Sequence, residues 1–140
     1  GPIRANVYAG KDYFSMARQT VLTFAMIETS QALTNLEEIV ATPGLDGLYV
    51  GTVDLSISLG LSEKVDLTVA PLEAALKRIV RVAKEHGLVT GIHVNPPDST
   101  TVLKEWGFQM LTLANDTPLL RNAANGVLEQ TKQKIGYVQQ

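Results

Sequence analysis

The sequence contains no cysteine, which excludes disulfide bonds, thiolate catalysis and zinc–thiolate sites. It has no block of basic residues, and its formal net charge is −2 at pH 7. A nucleic-acid partner or an anionic membrane partner is therefore disfavoured. No apolar run approaches the ~18–20 residues that span a bilayer, and no cleavable leader is expected before the first element. These absences favour a soluble cytoplasmic protein.

The overall amino-acid composition is typical of one globular domain. The chain has 140 residues, of which 45% are hydrophobic and 19% are charged. That hydrophobic share is sufficient for a packed core, and that length suits a single domain over residues 1–140.

Short apolar runs alternate with longer amphipathic runs along the chain. The pattern predicts strands over 21–27, 47–51, 88–94 and 108–114, and helices over 12–20, 30–41, 69–86 and 99–106. A last helix is expected to start at Pro118 after a cap at Asp116 or Thr117, and to run to about residue 135. Residues 54–60 are expected to form a loop with at most one helical turn. Such alternation is typical of an α/β fold with a parallel sheet. Both a small doubly wound sheet and part of a (β/α)8 barrel fit the pattern, and the length alone favours the first.

Two acidic residues directly follow predicted strands. Glu28 comes after the first strand and Asp54 after the second. Ligands bind at the carboxyl ends of parallel strands, and neighbouring strands lie ~4.8 Å apart. Two such carboxylates can hold one hard cation, which suits Mg²⁺ or Mn²⁺. The alternative is that Glu28 caps the following helix and Asp54 caps a turn.

The segment Gly51-Thr52-Val53-Asp54 adds a second feature to the end of the second strand. A glycine allows the backbone to approach a ligand closely, and successive backbone N–H groups can bind an anionic oxygen. A substrate carboxylate fits there, although a glycine needed only for a tight turn is also consistent with the pattern. No nucleotide-binding signature is present.

His93 lies late in the third predicted strand, followed by the loop 95–98 on the same expected edge of the sheet. This histidine could take part in proton transfer. We interpret it instead as a hydrogen-bonded core residue.

The segment "AMIET…NLEEIVATPGLDGLYVGTVDLSISLG" resembles the HpcH/HpaI aldolase family, which consists of metal-dependent pyruvate aldolases. The resemblance continues through "VTGIHV" and "WGFQMLTLANDTPLL" and covers nearly the whole chain. It implies a (β/α)8 barrel of the TIM-barrel type in which Glu28 and Asp54 are the metal ligands. The metal is expected to be Mg²⁺, Mn²⁺ or Co²⁺.

The same resemblance implies the chemistry of an aldolase. The backbone N–H of Val53, with Gly51 in the same loop, would hold the carboxylate of pyruvate. The metal would bind the oxo and carboxylate oxygens and stabilise the enolate formed during carbon–carbon cleavage. The products would be pyruvate and an aldehyde, released from a 4-hydroxy-2-oxo acid.

Two departures from the family pattern concern the site. The family usually has glutamine two residues before the metal-binding glutamate, and this sequence has Met26. The general-base histidine and the enolate-stabilising arginine of the family lie in its first half and have no counterpart here. His93 is not that base, because it lies on a different strand. No catalytic residue is therefore assigned within this chain.

The resemblance thus predicts four parallel strands with their helices, or about half a barrel. The outer strands of a half-barrel have unpaired backbone groups, so we expect a homo-oligomer or another partner chain.

Two other functions remain open. One is a non-catalytic half-barrel that binds a small 2-oxo acid or a partner chain, and the other is a doubly wound phosphate-binding domain.

Overall fold

A computed structural model describes residue 7 and residues 13–94 and 99–137 of the chain. In chain order the elements are α1 (Tyr13–Thr20), β1 (Phe24–Ile27), α2 (Ser30–Thr34), α3 (Leu36–Val40), β2 (Gly47–Val50), α4 (Thr52–Ser58), α5 (Ala70–Glu85), β3 (Val89–His93), α6 (Thr100–Trp106), β4 (Met110–Thr112) and α7 (Asp116–Ile135). The predicted alternation of strands and helices is confirmed.

The four strands form one parallel sheet in the order β1-β2-β3-β4. Each strand lies beside its predecessor, so the described sheet has no point at which the strand order reverses. A doubly wound sheet requires such a reversal, whereas a barrel adds its strands in sequence. The topology therefore decides between the two architectures that the sequence left open, in favour of the barrel type.

The two faces of the sheet differ in their surroundings, because successive side chains of a strand point to opposite faces. On the helix-covered face Ile27, Val50 and Ile92 share one row of the register and are fully buried. On the opposite face the row formed by Met26, Tyr49, Gly91 and Met110 crosses all four strands. Met26 and Met110 remain 55% and 38% exposed. The described residues thus leave this second face partly open.

Helix α5 supplies most of the core above the sheet. Its residues Leu72, Leu76 and Ile79 are almost fully buried, at the spacing that places them on one side of a helix. Pro71 lies in the first turn, where its missing N–H is not needed. The helix ends at Glu85, and Gly87, two residues further on, has a φ of +69°.

The segment predicted as one helix over residues 30–41 is two short helices, α2 and α3. Asn35 separates them with φ −93° and ψ 16°, outside the regular helical values.

The predicted loop over residues 54–60 is also wrong, because residues 52–58 form helix α4. Leu55 and Ser56 on this helix are buried, and this tertiary packing favours the helix beyond the local propensity of its sequence.

Helix α7 begins at Asp116 with Asn115 as its N-cap residue, so the predicted cap at Asp116 or Thr117 is wrong. The helix contains no buried residue. Leu120 is 74% exposed and Val127 is 65% exposed. Within the described parts of the chain, no helix combines the length and apolar character that crossing a membrane would need.

Candidate functional site

The carboxyl ends of β1 and β2 bring Glu28 and Gly51 together. The N–H of Gly51 donates to the carbonyl oxygen of Ile27 at 3.3 Å, so the two strand ends lie at the same level. A Cβ atom placed on Gly51 would lie 2.8 Å from Oε2 of Glu28 and 3.1 Å from its Cβ. A real Cβ atom essentially never lies within 3.0 Å of another heavy atom in this way, so the 2.8 Å contact would force a shift. Glycine at position 51 therefore leaves the space that the Glu28 carboxylate fills.

Asp54 approaches the same point from the first turn of α4. The Oδ2 atom of Asp54 lies 3.8 Å from the Cβ position of Gly51. The two carboxylate oxygens are therefore at most 6.6 Å apart, the sum of this distance and the 2.8 Å to Glu28. The structure thus brings the two predicted metal ligands to one place.

The alternative roles of these carboxylates in capping find no support in the structure. The hydroxyl of Thr29, rather than Glu28, caps α2 by accepting the N–H of Ala32 at 3.0 Å. Gly51 is the N-cap residue of α4, and no side chain caps that helix. Neither the Glu28 carboxylate nor the Asp54 carboxylate forms a hydrogen bond or ion pair with another described residue. Both carboxylates are thus free to accept a cation.

The donor set at this place fits a hard divalent cation. Two carboxylates suit Mg²⁺ or Mn²⁺, which retain several positions for water or substrate oxygens. The described residues contain no cluster of three or more histidine, cysteine or acidic side chains. A cation held here would therefore take two side chains of the described residues as ligands, and these leave coordination positions open.

The segment that follows Gly51 presents its backbone to the same region. Thr52, Val53 and Asp54 form the first turn of α4, where N–H groups have no acceptor within the helix. The hydroxyl of Thr52 donates to the carbonyl oxygen of His93 at 3.3 Å, and the residue is only 6% exposed. Thr52 can therefore offer a ligand its backbone rather than its side chain, while Val53 remains accessible.

Met26 lies on β1, two residues before Glu28, which directly follows the strand. Its nearest strand neighbour in the register is Tyr49. Position 26, where the family usually has glutamine, therefore faces the open side of the sheet, near the carboxylates of Glu28 and Asp54.

His93 departs from our interpretation as a hydrogen-bonded core residue. It is half-buried, and its ring makes no hydrogen bond with another described residue. It lines a cavity of about 290 Å³ together with Thr52, Val53, Lys64 and Ser99. The sequence pattern gave no signal for Lys64, because the loop that carries it has no regular periodicity. The predicted loop over 95–98 lies outside the described residues.

The comparisons with known proteins agree with this fold. The family model described as HpcH/HpaI aldolase/citrate lyase matches residues 4–123. A hydroxypyruvate/pyruvate aldolase from Rhizorhabdus wittichii is 33% identical over 132 residues, covering 94% of this chain and 53% of the relative. A 5-keto-4-deoxy-D-glucarate aldolase from Escherichia coli is 28% identical over 130 residues, covering 92% and 50%.

Among solved structures, an HpcH/HpaI aldolase/citrate lyase family protein from Burkholderia cenocepacia superposes with a TM-score of 0.72 at 29% identity. The match covers 87% of this chain and 47% of the other. The expectation of about half a barrel of the TIM-barrel type is thereby confirmed. The chain spans about half the length of the relatives that it matches.

Proposed function

The chain belongs to the HpcH/HpaI aldolase/citrate lyase family, and from this premise we propose that it carries the metal site of a divalent-metal-dependent aldolase. The reaction would cleave a 4-hydroxy-2-oxo acid to pyruvate and an aldehyde. The observation that carries the proposal is the convergence of Glu28 and Asp54 on the space beside Gly51. Two unpaired carboxylates, one directly after β1 and one in the first turn of the helix that follows β2, suit a cation and a small acid.

Each part of this site has a distinct task in the proposed reaction. Glu28 and Asp54 would hold the cation, which is Mg²⁺, Mn²⁺ or Co²⁺. The backbone N–H groups of the first turn of α4, that of Val53 in particular, would orient the carboxylate of the 2-oxo acid. Bound there, a divalent cation would supply Lewis-acid chemistry, which lowers the energy of an enolate.

The proton-transfer groups would come from outside this chain. The resemblance places the general-base histidine and the arginine of the family in the barrel half that this sequence does not contain. They would belong to that half of the same protein or to a partner chain. The chain described here would therefore supply the cation and carboxylate binding, and the rest of the protein would supply the base.

The test is the exchange of the methyl protons of pyruvate with deuterium, followed by NMR in the protein at its full encoded length. We expect exchange that requires a divalent cation and falls at least a hundredfold in Glu28→Gln and in Asp54→Asn. Such a loss is in the range for removal of one electrostatic element of a site. Lys104→Met, on the exposed surface of α6, is the control and should retain wild-type exchange. Exchange that persists in both carboxylate variants would contradict the proposal.

The exchange measurement, combined with calorimetry, separates an aldolase from a non-catalytic module. Calorimetric binding of pyruvate with Mg²⁺ but without exchange would favour a half-barrel that only binds a small 2-oxo acid. Binding that requires no cation would point away from both.

A further inference from the structure

We propose that Ser58 is a positioning residue of the proposed cation site, whose hydroxyl holds the segment that carries Glu28 against the helix that carries Asp54. The inference rests on the proposed function and extends it to the choice of cation. The juxtaposition that carries it is a pair of hydrogen bonds, one before and one after Glu28, that join this segment to the two ends of α4.

Glu28 lies in the short connection between β1 and α2, and both ends of this connection are bonded to α4 or its N-cap residue. Before Glu28, the carbonyl oxygen of Ile27 accepts the N–H of Gly51 at 3.3 Å. After it, the N–H of Ser30 donates to the hydroxyl of Ser58 at 2.9 Å. Gly51 is the N-cap of α4, and Ser58 is its last residue. The backbone on either side of Glu28 is therefore fixed relative to α4.

The contact between the two serines lies beside the two carboxylates. Asp54 and Ser58 are four residues apart on α4, so their side chains project from the same side of this helix. Ser30, the partner of Ser58, follows Glu28 by two residues. A shift of α4 relative to the start of α2 would therefore change the serine contact and the spacing of the carboxylates together.

The N–H of Ser30 depends on Ser58 because α2 itself offers it no acceptor. Ser30 is the first residue of α2, where the N–H has no partner within the helix. The hydroxyl of Thr29, the N-cap residue, accepts the N–H of Ala32 instead. Ser58 in turn donates its hydroxyl proton to Oγ of Ser30 at 3.3 Å. Removing the Ser58 hydroxyl would thus break both hydrogen bonds of this contact.

A fixed spacing of the two carboxylates matters more for a small cation than for a large one. Mg²⁺ requires nearly ideal octahedral geometry with oxygen ligands at about 2.0–2.1 Å. Ca²⁺ accepts irregular geometry with ligands at about 2.3–2.6 Å. Carboxylates on two segments that shift freely are therefore worse for Mg²⁺ than for Ca²⁺, and the Ser58 contact favours Mg²⁺.

The test is calorimetric titration of Mg²⁺ and of Ca²⁺ into the protein at its full encoded length. We expect Ser58→Ala to weaken Mg²⁺ binding about fivefold, the size of one net hydrogen bond. Ca²⁺ binding should weaken by less than about twofold. Ser58→Thr keeps the hydroxyl and should restore the wild-type ratio of the two affinities. Because Ser58 is exposed, the midpoint of urea unfolding should change little in either variant.

Ser62→Ala is the matched control. The Ser62 hydroxyl is also exposed and also accepts a backbone N–H, that of Lys64 at 3.1 Å, but it lies in the loop beyond α4. This variant should retain wild-type affinity for both cations. Equal Mg²⁺ affinity in wild type and Ser58→Ala, an equal loss in Ser62→Ala, or a loss of the same factor for Mg²⁺ and Ca²⁺ would overturn the inference.

A double variant separates positioning from a general loss of structure. In Glu28→Gln one of the two carboxylates is gone, so their spacing no longer decides Mg²⁺ affinity. Adding Ser58→Ala to Glu28→Gln should therefore cost little further affinity. A further loss as large as that of Ser58→Ala alone would overturn the inference and leave the proposed function intact. A wild-type protein that binds neither cation would instead contradict the proposed function, and the inference with it.

Discussion

The carboxylate of Glu28 fills the space that a side chain on Gly51 would need. A Cβ atom at position 51 would meet Oε2 of Glu28 at 2.8 Å. The φ of Gly51 is −86°, which any residue can adopt. A side chain at position 51 would displace the Glu28 side chain, whereas the backbone conformation itself does not call for glycine.

Replacing this glycine should therefore displace a metal ligand without straining the backbone. We expect Gly51→Ala to weaken Mn²⁺ binding at least tenfold, measured by isothermal titration calorimetry, because the added methyl group pushes Glu28 aside. Gly126→Ala is the matched control, since nothing lies within 4 Å of a Cβ at position 126. The control should retain Mn²⁺ affinity and stabilise α7 by up to about 1 kcal/mol. Equal Mn²⁺ affinity in wild type and Gly51→Ala would refute this account of the glycine.

Met26 should tolerate a polar replacement. It is 55% exposed on the open face of β1, so Met26→Gln should change the free energy of unfolding by less than about 0.5 kcal/mol. The new amide would hydrogen-bond a substrate oxygen or a water molecule near Glu28. We expect pyruvate to bind several-fold more tightly in the presence of Mg²⁺, as measured by calorimetry. Unchanged or weaker pyruvate binding by this variant would show that position 26 does not serve the site.

Arg78 links α5 to the two short helices that precede β2. Its guanidinium donates to the carbonyl oxygen of Leu33 at 2.7 Å and to Oε2 of Glu37 at 2.8 Å. This hydrogen bond with Arg78 holds the pKa of Glu37 below its ordinary value of 4.5. The pair therefore stabilises the fold above that value, and its contribution is lost as the pH falls through the lowered pKa of the folded state.

An NMR titration of the Glu37 carboxyl carbon measures this effect directly. We expect a midpoint below 4.5 in the wild-type protein and a midpoint closer to that value in Arg78→Met. In urea unfolding, Glu37→Gln should have a lower free energy of unfolding than wild type at neutral pH. This difference should vanish in acid. A midpoint that does not move in Arg78→Met would exclude the arginine as the cause.

The open face and the outer strands should make the isolated 140-residue chain self-associate. Within the described residues β1 pairs only with β2 and β4 only with β3, so each outer strand has one edge without a partner. We expect sedimentation velocity to show dimers or larger species. The substitution Met110→Lys should lower the fraction of these species. Leu120→Lys on α7 places the same charge away from the sheet and should have less effect. A well-folded monomer at all concentrations would contradict this prediction.

The sequence predicted the order of the elements and that Glu28 and Asp54 lie near each other, because both depend on local patterns, while their role as metal ligands stays a prediction. Apolar runs identify buried strands, and acidic residues at strand ends identify the edge where ligands bind. The break at Asn35 and the helix that begins at Thr52 were missed, because tertiary packing rather than periodicity decides them. The cavity beside His93 was also missed, since Lys64 reaches it from a loop whose path no sequence pattern predicts.

The central claim is that Glu28 and Asp54 bind one cation together, and Mn²⁺ titration of four proteins tests it most directly. The proteins are the wild type, Glu28→Gln, Asp54→Asn and the double variant. We predict one Mn²⁺ per chain in the wild type, at least a tenfold loss of affinity in each single variant, and little further loss in the double variant. Two independent Mn²⁺ sites, or wild-type affinity in either single variant, would contradict the claim.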